Sequence, residues 1–253
     1  MRDRFRPLVT VACLFALWWL VSALSWVNPL FLPTLPAVSK AMLTLFRNES
    51  IFYDIVATSY RAFVGLLLSA LIGVPLGLVF GRAPQLYRFI ELPVDFFRSI
   101  PSSALFFLFI LIFGLGDAAK VAVVVYGCSL IFLVNTIYGA RPTREKLDRI
   151  NMLRSFRARP SQIFYLAVLR DALPSIMAGL RVCVSLSLVL VIVTEMFLSS
   201  NNGLGRRIYD LYLMYRIPEM YAVLILIGLL GFIANRGALL LERSLSFWTT
   251  DNL

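Results

Sequence analysis

The chain has 253 residues, of which 60% are hydrophobic and 15% charged; its formal net charge is +10 and it contains no histidine. Soluble domains carry about 25% charged residues, so the composition argues against one, and the missing histidine removes the commonest general base and metal ligand. The basic residues stand in gaps between apolar blocks and form no stripe along a polar face, which argues against nucleic acid as a partner and for the positive-inside bias of a membrane protein.

Apolar blocks near the ~20-residue length that crosses a hydrocarbon core predict about six transmembrane helices. The expected fold class is therefore all-α and polytopic, because a helix bonds its backbone groups within the segment. The first block is Leu8–Trp26. It is too long for a signal-peptide core and ends without a small-residue cleavage site, so it is expected to be a retained span. After Pro33 and Pro36, residues Val38, Met42 and Leu45 share one helical face and predict a short interfacial helix. The second block, Thr58–Phe80, carries Gly73 and Gly77, with Gly81 just after it, at four-residue spacing, a face for close helix packing, with Pro75 as a candidate hinge.

The third block, Ile100–Phe113, follows Arg98 and is expected to open with Pro101 in its first helical turn, where the missing N–H breaks no helical bond. Gly114 to Asp117 reads as a tight turn into the fourth block, Val121–Tyr138. Residues 139–175 then carry eight basic side chains: Arg141, Arg144, Lys146, Arg149, Arg154, Arg157, Arg159 and Arg170. No other stretch is as polar over such a length. The fifth block, Ile176–Leu198, places Thr194 and Glu195 near its end, ahead of a turn at Asn201 to Gly205. The sixth is Pro218–Ala234. No internal repeat or linker divides the chain, so residues 1–253 read as one domain.

With the N-terminus inside, sixteen basic residues fall on inner segments and six on outer ones (Lys40, Arg47, Lys120, Arg206, Arg207 and Arg216). Both termini and the 139–175 loop are therefore expected in the cytoplasm. Arg61 and Arg181 fall near span ends, where long side chains snorkel. Candidate pathway or gate residues are Arg98, Pro101, Ser102, Asn135, Thr194 and Glu195. Intramembrane polar groups face a cavity or a partner, and interhelical bonding is the competing use, above all for Asn135. Cys13, Cys128 and Cys183 show neither disulfide nor zinc spacing. No G-x-x-x-x-G-K-[ST] loop, metal cluster or serine elbow is visible, so neither an enzyme activity nor a cofactor of its own is expected.

Several segments, in order, carry a resemblance: FLPTLPAVSKAM, TSYRAFVGLLLSALIGVPLGLVFGR, FFRSIPSSALFFLFILIFGLGDAAK, ALPSIMAGLRV and TEMFLSSNNGLG. Over nearly its whole length the chain resembles the membrane permease subunit of bacterial type I ABC importers, in the taurine, alkanesulfonate and nitrate branch. The resemblance implies an inner-membrane permease fold with a second permease subunit, the same chain or a paralogue, beside it. It also implies two ATPase subunits that bind ATP and magnesium, a solute-binding protein outside, and surrounding lipid. The family's cytoplasmic E-A-A-x-x-x-G element, a coupling helix that docks on the ATPase, falls on Asn151, Met152 and Leu153, with Arg157 at the glycine. The implied coupling residues are Arg149, Asn151, Arg154, Ser155, Phe156, Arg157, Ala158 and Arg159. Arg157 is expected to resist the positive φ that glycine allows, with Pro160 and Ser161 supplying the break and Ser161 the cap. A self-contained carrier or integral enzyme is the alternative; it would call for inverted repeats or clustered acids, and the acids here are scattered.

Overall fold

A computed structural model describes residues 6–24, 26–28, 30–47, 50–197 and 202–246. The predicted turn residue Asn201 and the basic residues Arg2 and Arg4 lie outside the described residues. The order is α1 (Arg6–Ala23), α2 (Leu35–Arg47), α3 (Ser50–Arg82), α4 (Pro84–Ser99), α5 (Phe106–Phe113), α6 (Asp117–Ala140), α7 (Arg144–Ser155) and α8 (Pro160–Ile163). A π-helical segment (Phe164–Leu169) then joins α8 to α9 (Arg170–Phe197), and α10 (Leu204–Leu213) and α11 (Ile217–Leu245) follow. Among the described residues there is no strand. Four stretches are long and apolar enough to cross a membrane: α3, α6, residues 160–197 and α11; α1 adds a shorter apolar run.

Among the described residues each of the six predicted blocks contains a helix, but the third is cut short. Helix α5 has 8 residues, about 12 Å at 1.5 Å per residue, against a hydrocarbon core of ~30 Å. Pro101 does not open it. Ile100 is extended at ψ 121°, as the residue before a proline prefers, and residues 101–105 form turns before the helix starts at Phe106.

The core is α3 laid against α6. Gly65, Ser69, Gly73, Gly77 and Gly81 are buried along α3, and their four-residue spacing puts them on one face. A Cβ at Gly73 would stand 2.5 Å from the Ser129 carbonyl oxygen, and one at Gly77 2.5 Å from Thr136 Cβ. The helices approach closely because the side chains that would separate them are missing. Ser69 Oγ donates to Gly65 O at 2.6 Å and lies 3.3 Å from Val124 O. Helix α3 continues through Pro75 to Arg82. Helix α9 packs on both α3 and α6, and Cys128 of α6 and Cys183 of α9 face each other as free thiols. The predicted interfacial helix is α2, but its buried face of Val38, Ala41 and Leu45 packs on α10 and α11. Its apolar side is covered by protein.

At the end of the bundle opposite α7, α3, α6, α9 and α10 meet around Arg61. This residue is 2% exposed and does not snorkel to the surface. Its Nη1 donates to Glu195 Oε1 at 2.5 Å and to the Asn202 carbonyl at 3.0 Å; Nη2 donates to Asn202 Oδ1 at 2.8 Å, and Nε to Asp117 Oδ1 at 2.8 Å. Glu195 is fully buried and also accepts from Thr58 Oγ1 at 2.9 Å and from the Gly205 N–H at 3.0 Å. Thr58 Oγ1 accepts the Leu204 N–H at 2.9 Å. Asp54 extends the network, accepting from the Gly203 N–H at 2.7 Å and from Arg207 at 2.6 Å. Two glycines make this geometry accessible. Gly203 has φ +134°, and a Cβ there would sit 2.4 Å from the Glu195 carboxyl carbon; a Cβ at Gly205 would sit 2.2 Å from the Ile192 carbonyl oxygen.

Gly73→Val is expected to destabilise the bundle by more than the ~1–3 kcal/mol of ordinary overpacking, because the obstacle is backbone. Detergent-solubilised chain should lose monodispersity and melt lower, and wild-type melting would disprove the close approach. Glu195→Ala and Arg61→Ala should each cost about 3–5 kcal/mol, the range for stranding one member of a buried pair. The double variant should cost much less than the sum, a coupling readable in a melting cycle.

Candidate functional site

The chain leaves α6 through Arg141, whose guanidinium lies 4.9 Å from the ring centroids of both Tyr87 and Tyr138, a cation–π clamp onto α4. Burial raises the Tyr87 hydroxyl above its ordinary pKa, with Glu91 adding to it, so the ring under Arg141 stays neutral at physiological pH. Helix α7 then runs to Ser155. Its one buried residue, Ile150, packs with Leu153 on Ile163 and on Ala167 and Val168 of the π-helical segment. Lys146 Nζ donates to the Gly139 carbonyl at 2.5 Å, and Arg149 pairs with Asp171 at the start of α9. Helix α7 is thus fastened to the spans on one side.

Its other side is open. Asn151, Arg154, Ser155, Phe156, Arg157 and Arg159 are exposed there and Ala158 is half-buried, while Arg149, though exposed, is held by Asp171 on the fastened side. Phe156 is 78% exposed. Ser155 Oγ donates to the Asn151 carbonyl, 3.1 Å away. The helix ends in a Schellman turn: the Ala158 N–H donates to Leu153 O at 3.1 Å and the Arg157 N–H to Arg154 O at 2.8 Å. Arg157 occupies the left-handed position at φ 55°. This corrects two expectations. The break lies at Arg157 itself, where the family has glycine, and the cap of α8 is Arg159 and not Ser161. The Arg159 N–H donates to Gln162 Oε1 at 2.7 Å, and Pro160 takes the first helical position. Two backbone bonds satisfying the end of α7 offset a local cost of roughly 1–2 kcal/mol.

Between α7 and α9 the chain makes π-helical turns at Phe164–Leu169. Such wide turns recur at functional sites. Here they form the seat of Ile150 and join α7 to α9.

A cavity of about 310 Å³ lies where the turn after α4 meets α6 and α9, lined by Arg98, Pro101, Ser102, Tyr126, Gly127 and Leu186 among others. Three predicted pathway residues therefore come together. Ser102 fits against Gly127, where a Cβ would stand 2.7 Å from its Oγ. The Tyr126 hydroxyl donates to the Phe97 carbonyl at 2.5 Å, and Arg98 pairs with Asp95 at 3.2 Å. Asn135 sits one turn beyond the cavity residue Ile131 on the same face of α6; its Nδ2 donates to the Ile131 carbonyl at 2.9 Å, and its side chain packs on Gly179 of α9. Thr194 and Glu195 lie elsewhere: Thr194 Oγ1 donates to Val191 O at 2.8 Å, and Glu195 belongs to the buried Arg61 network. Sequence reasoning missed Tyr126 and the partners of Arg61. An arginine eleven residues into an apolar helix, with Asp117 and Glu195 at the same predicted level, was the available signal for the second.

The family described as binding-protein-dependent transport system inner membrane component matches residues 73–247. The aliphatic sulfonates transport permease protein SsuC of Escherichia coli (strain K12) is 30% identical over 97% of this chain and 92% of its own length. The taurine transport permease TauC of the same strain is 24% identical over 94% and 88%, and the bicarbonate transport permease CmpB of Synechocystis is 24% identical over 95% and 88%. A solved chain from inward-facing MetNI, a methionine ABC transporter, superposes with a TM-score of 0.66 at 21% identity, covering 78% of this chain and 97% of that one; the shared fold is that of an ABC importer permease. A multi-pass helical bundle whose charged helix presents one open face is thereby accounted for: the chain belongs to the binding-protein-dependent transport system inner membrane components, as a permease subunit whose ATPase is a separate partner.

Proposed function

We propose that this permease passes a small oxyanion delivered by a solute-binding protein, that it works beside a second permease subunit, and that two ATPase subunits holding ATP and magnesium grip α7 and the turn at 156–159. The carrying observation is Phe156, 78% exposed at the tip of α7 between Arg154 and Arg157. An exposed aromatic ringed by arginines on a rigid turn is the composition of an interface hot spot. The eight basic residues of 139–175 support a cytoplasmic position for this face and for both termini. The relatives named for sulfonates, taurine and bicarbonate all handle oxyanion-bearing solutes, which supports the substrate class. Coupling is then mechanical. Closure of the ATPase pair carries α7, Ile150 carries the π-helical turns, and α9 moves at the wall of the cavity. Delivery by the binding protein biases the same two states by its differential affinity for them.

Phe156→Ala is expected to weaken ATPase binding by about 2 kcal/mol, roughly 30-fold, measured by co-purification titration with the cognate ATPase. Arg154→Glu with Arg159→Glu should abolish transport and substrate-stimulated hydrolysis while the chain still inserts; retention of both activities would move the docking face elsewhere. Arg157→Gly should raise the melting temperature of the chain by relieving about 1–2 kcal/mol of left-handed strain, and a lower one would show that the side chain contributes more than the backbone costs.

A further inference from the structure

Helix α4 carries a charged edge that links two cavities. Arg88, Glu91, Asp95 and Arg98 are all exposed and fall within about 80° of one another round the helix. Leu86, Phe89, Leu92 and Phe96, also exposed, fill a separate arc. Val94 is buried on a third side, against Leu133 and Ile137 of α6. The charged edge ends at the cavity of about 310 Å³, which Arg98 lines. It begins at a second cavity of about 260 Å³, lined by Tyr87, Arg88, Glu91 and Arg141 among others.

This edge lies at membrane depth. Helix α3 ends where Gly81 meets Ala140, and α6 begins where Asp117 meets Arg61, so the chain between them crosses from one end of the bundle to the other. Helix α5 supplies only about 12 Å of that crossing, and α4 with the turns after it supplies the rest. Contacts with α6 trace its course: Tyr87 under Arg141, Val94 on Leu133 and Ile137, and the Phe97 carbonyl at Tyr126. Tyr126 is the tenth of the 24 residues of α6, a helix apolar enough to span a bilayer. Helix α4 therefore runs antiparallel to α6 from its α7 end to near its middle, and it carries Asp95 and Arg98 inward.

Charged side chains at such depth are costly against lipid and face water or a partner. The apolar arc is the one suited to lipid, and the charged edge is the one with a cavity at each end. Its two arginines and two acids sum to no net charge, so the row needs no partner chain to neutralise it. Arg98 pairs with Asp95 at 3.2 Å while the two side chains stay 48% and 61% exposed. We infer that this edge is the wall along which a small oxyanion leaves the Arg98 cavity for the α7 side of the membrane, received by Arg98 at depth and by Arg88 and Arg141 at the mouth. This rests on the permease reading above and gives it a route. A guanidinium meets a sulfonate or carboxylate through two parallel N–H bonds. Competition from Asp95 for Arg98 keeps that stop weak, which a conducting route requires, since solute must leave as readily as it enters.

The test places thiols on the two arcs of α4 in the assembled complex, in membrane vesicles that expose the α7 side. Cys13 is exposed while Cys128 and Cys183 are buried, so Asp95→Cys and its neighbour on the apolar arc, Phe96→Cys, are each built with Cys13→Ser. Two membrane-impermeant methanethiosulfonates are used, the negatively charged sulfonatoethyl and the positively charged trimethylammonioethyl reagent. Both should modify the Asp95→Cys thiol and leave the Phe96→Cys thiol unmodified. The ratio of anionic to cationic rates at Asp95→Cys cancels any effect on the thiol's own ionisation. It should fall about 10-fold with Arg98→Gln, the low end of field focusing in clefts, and hold with Arg98→Lys. An Asp95→Cys thiol that reacts with neither reagent is covered by lipid or a partner chain and overturns the inference. Equal reactivity on the two arcs, which puts all of α4 in water, overturns it too, as does a ratio indifferent to Arg98→Gln. If Asp95→Cys does not accumulate, Glu91→Cys, one turn nearer the mouth on the same edge, is read in the same way. ATPase retained on an unreactive complex leaves the permease reading standing; a parent chain that binds no ATPase overturns that reading instead.

Discussion

The close approach of α3 and α6 governs the rest of the molecule. In a bilayer, burying apolar surface gives helices little reason to associate, so contact has to come from packing and interhelical bonds. Glycine and serine at every fourth position from 65 to 81 remove the side chains that would hold the two backbones apart. With the pair locked along that length, both its ends are set. Asp117 comes to lie beside Arg61 at one end, and Ala140 delivers the chain to α7 at the other.

The buried Arg61–Glu195 pair shows how costly groups are retained. Desolvating each ion costs several kcal/mol, and Coulomb attraction repays that only when the remaining donors and acceptors are satisfied. Here they are, by Thr58, Asp117, Asn202 and the backbone N–H of Gly205. The result is specificity of position: three helices and the segment leading into α10 are referred to one guanidinium. Arg181 and Glu242 illustrate the contrary case, an ion pair between α9 and α11 left half open.

The α7 face combines stiffness and exposure in the same way. Ile150 and Arg149 fix it to the π-helical turns and to α9, while Phe156 and its arginines remain uncovered. The left-handed Arg157 keeps the turn that a glycine would make without restraint, and adds a charge at the exposed tip.

The sequence by itself determined the helical class, the six apolar blocks, the glycine face of α3 and the polar loop that bears α7, because each is a local property of composition or of a 3.6-residue period. It also carried the family resemblance that the matches later bore out. Tertiary structure alone decided that α5 is only a fragment of a span, that α2 is covered by α10 and α11, that Arg61 is buried and not snorkelled, and that Arg98, Pro101 and Ser102 share a cavity from which Glu195 is absent. Those outcomes turn on which residues meet across helices tens of positions apart, and periodicity gives a face without naming what covers it. Arg157 marks the boundary: its intrinsic preference argued against a left-handed turn, and two backbone hydrogen bonds at the end of α7 overrode it.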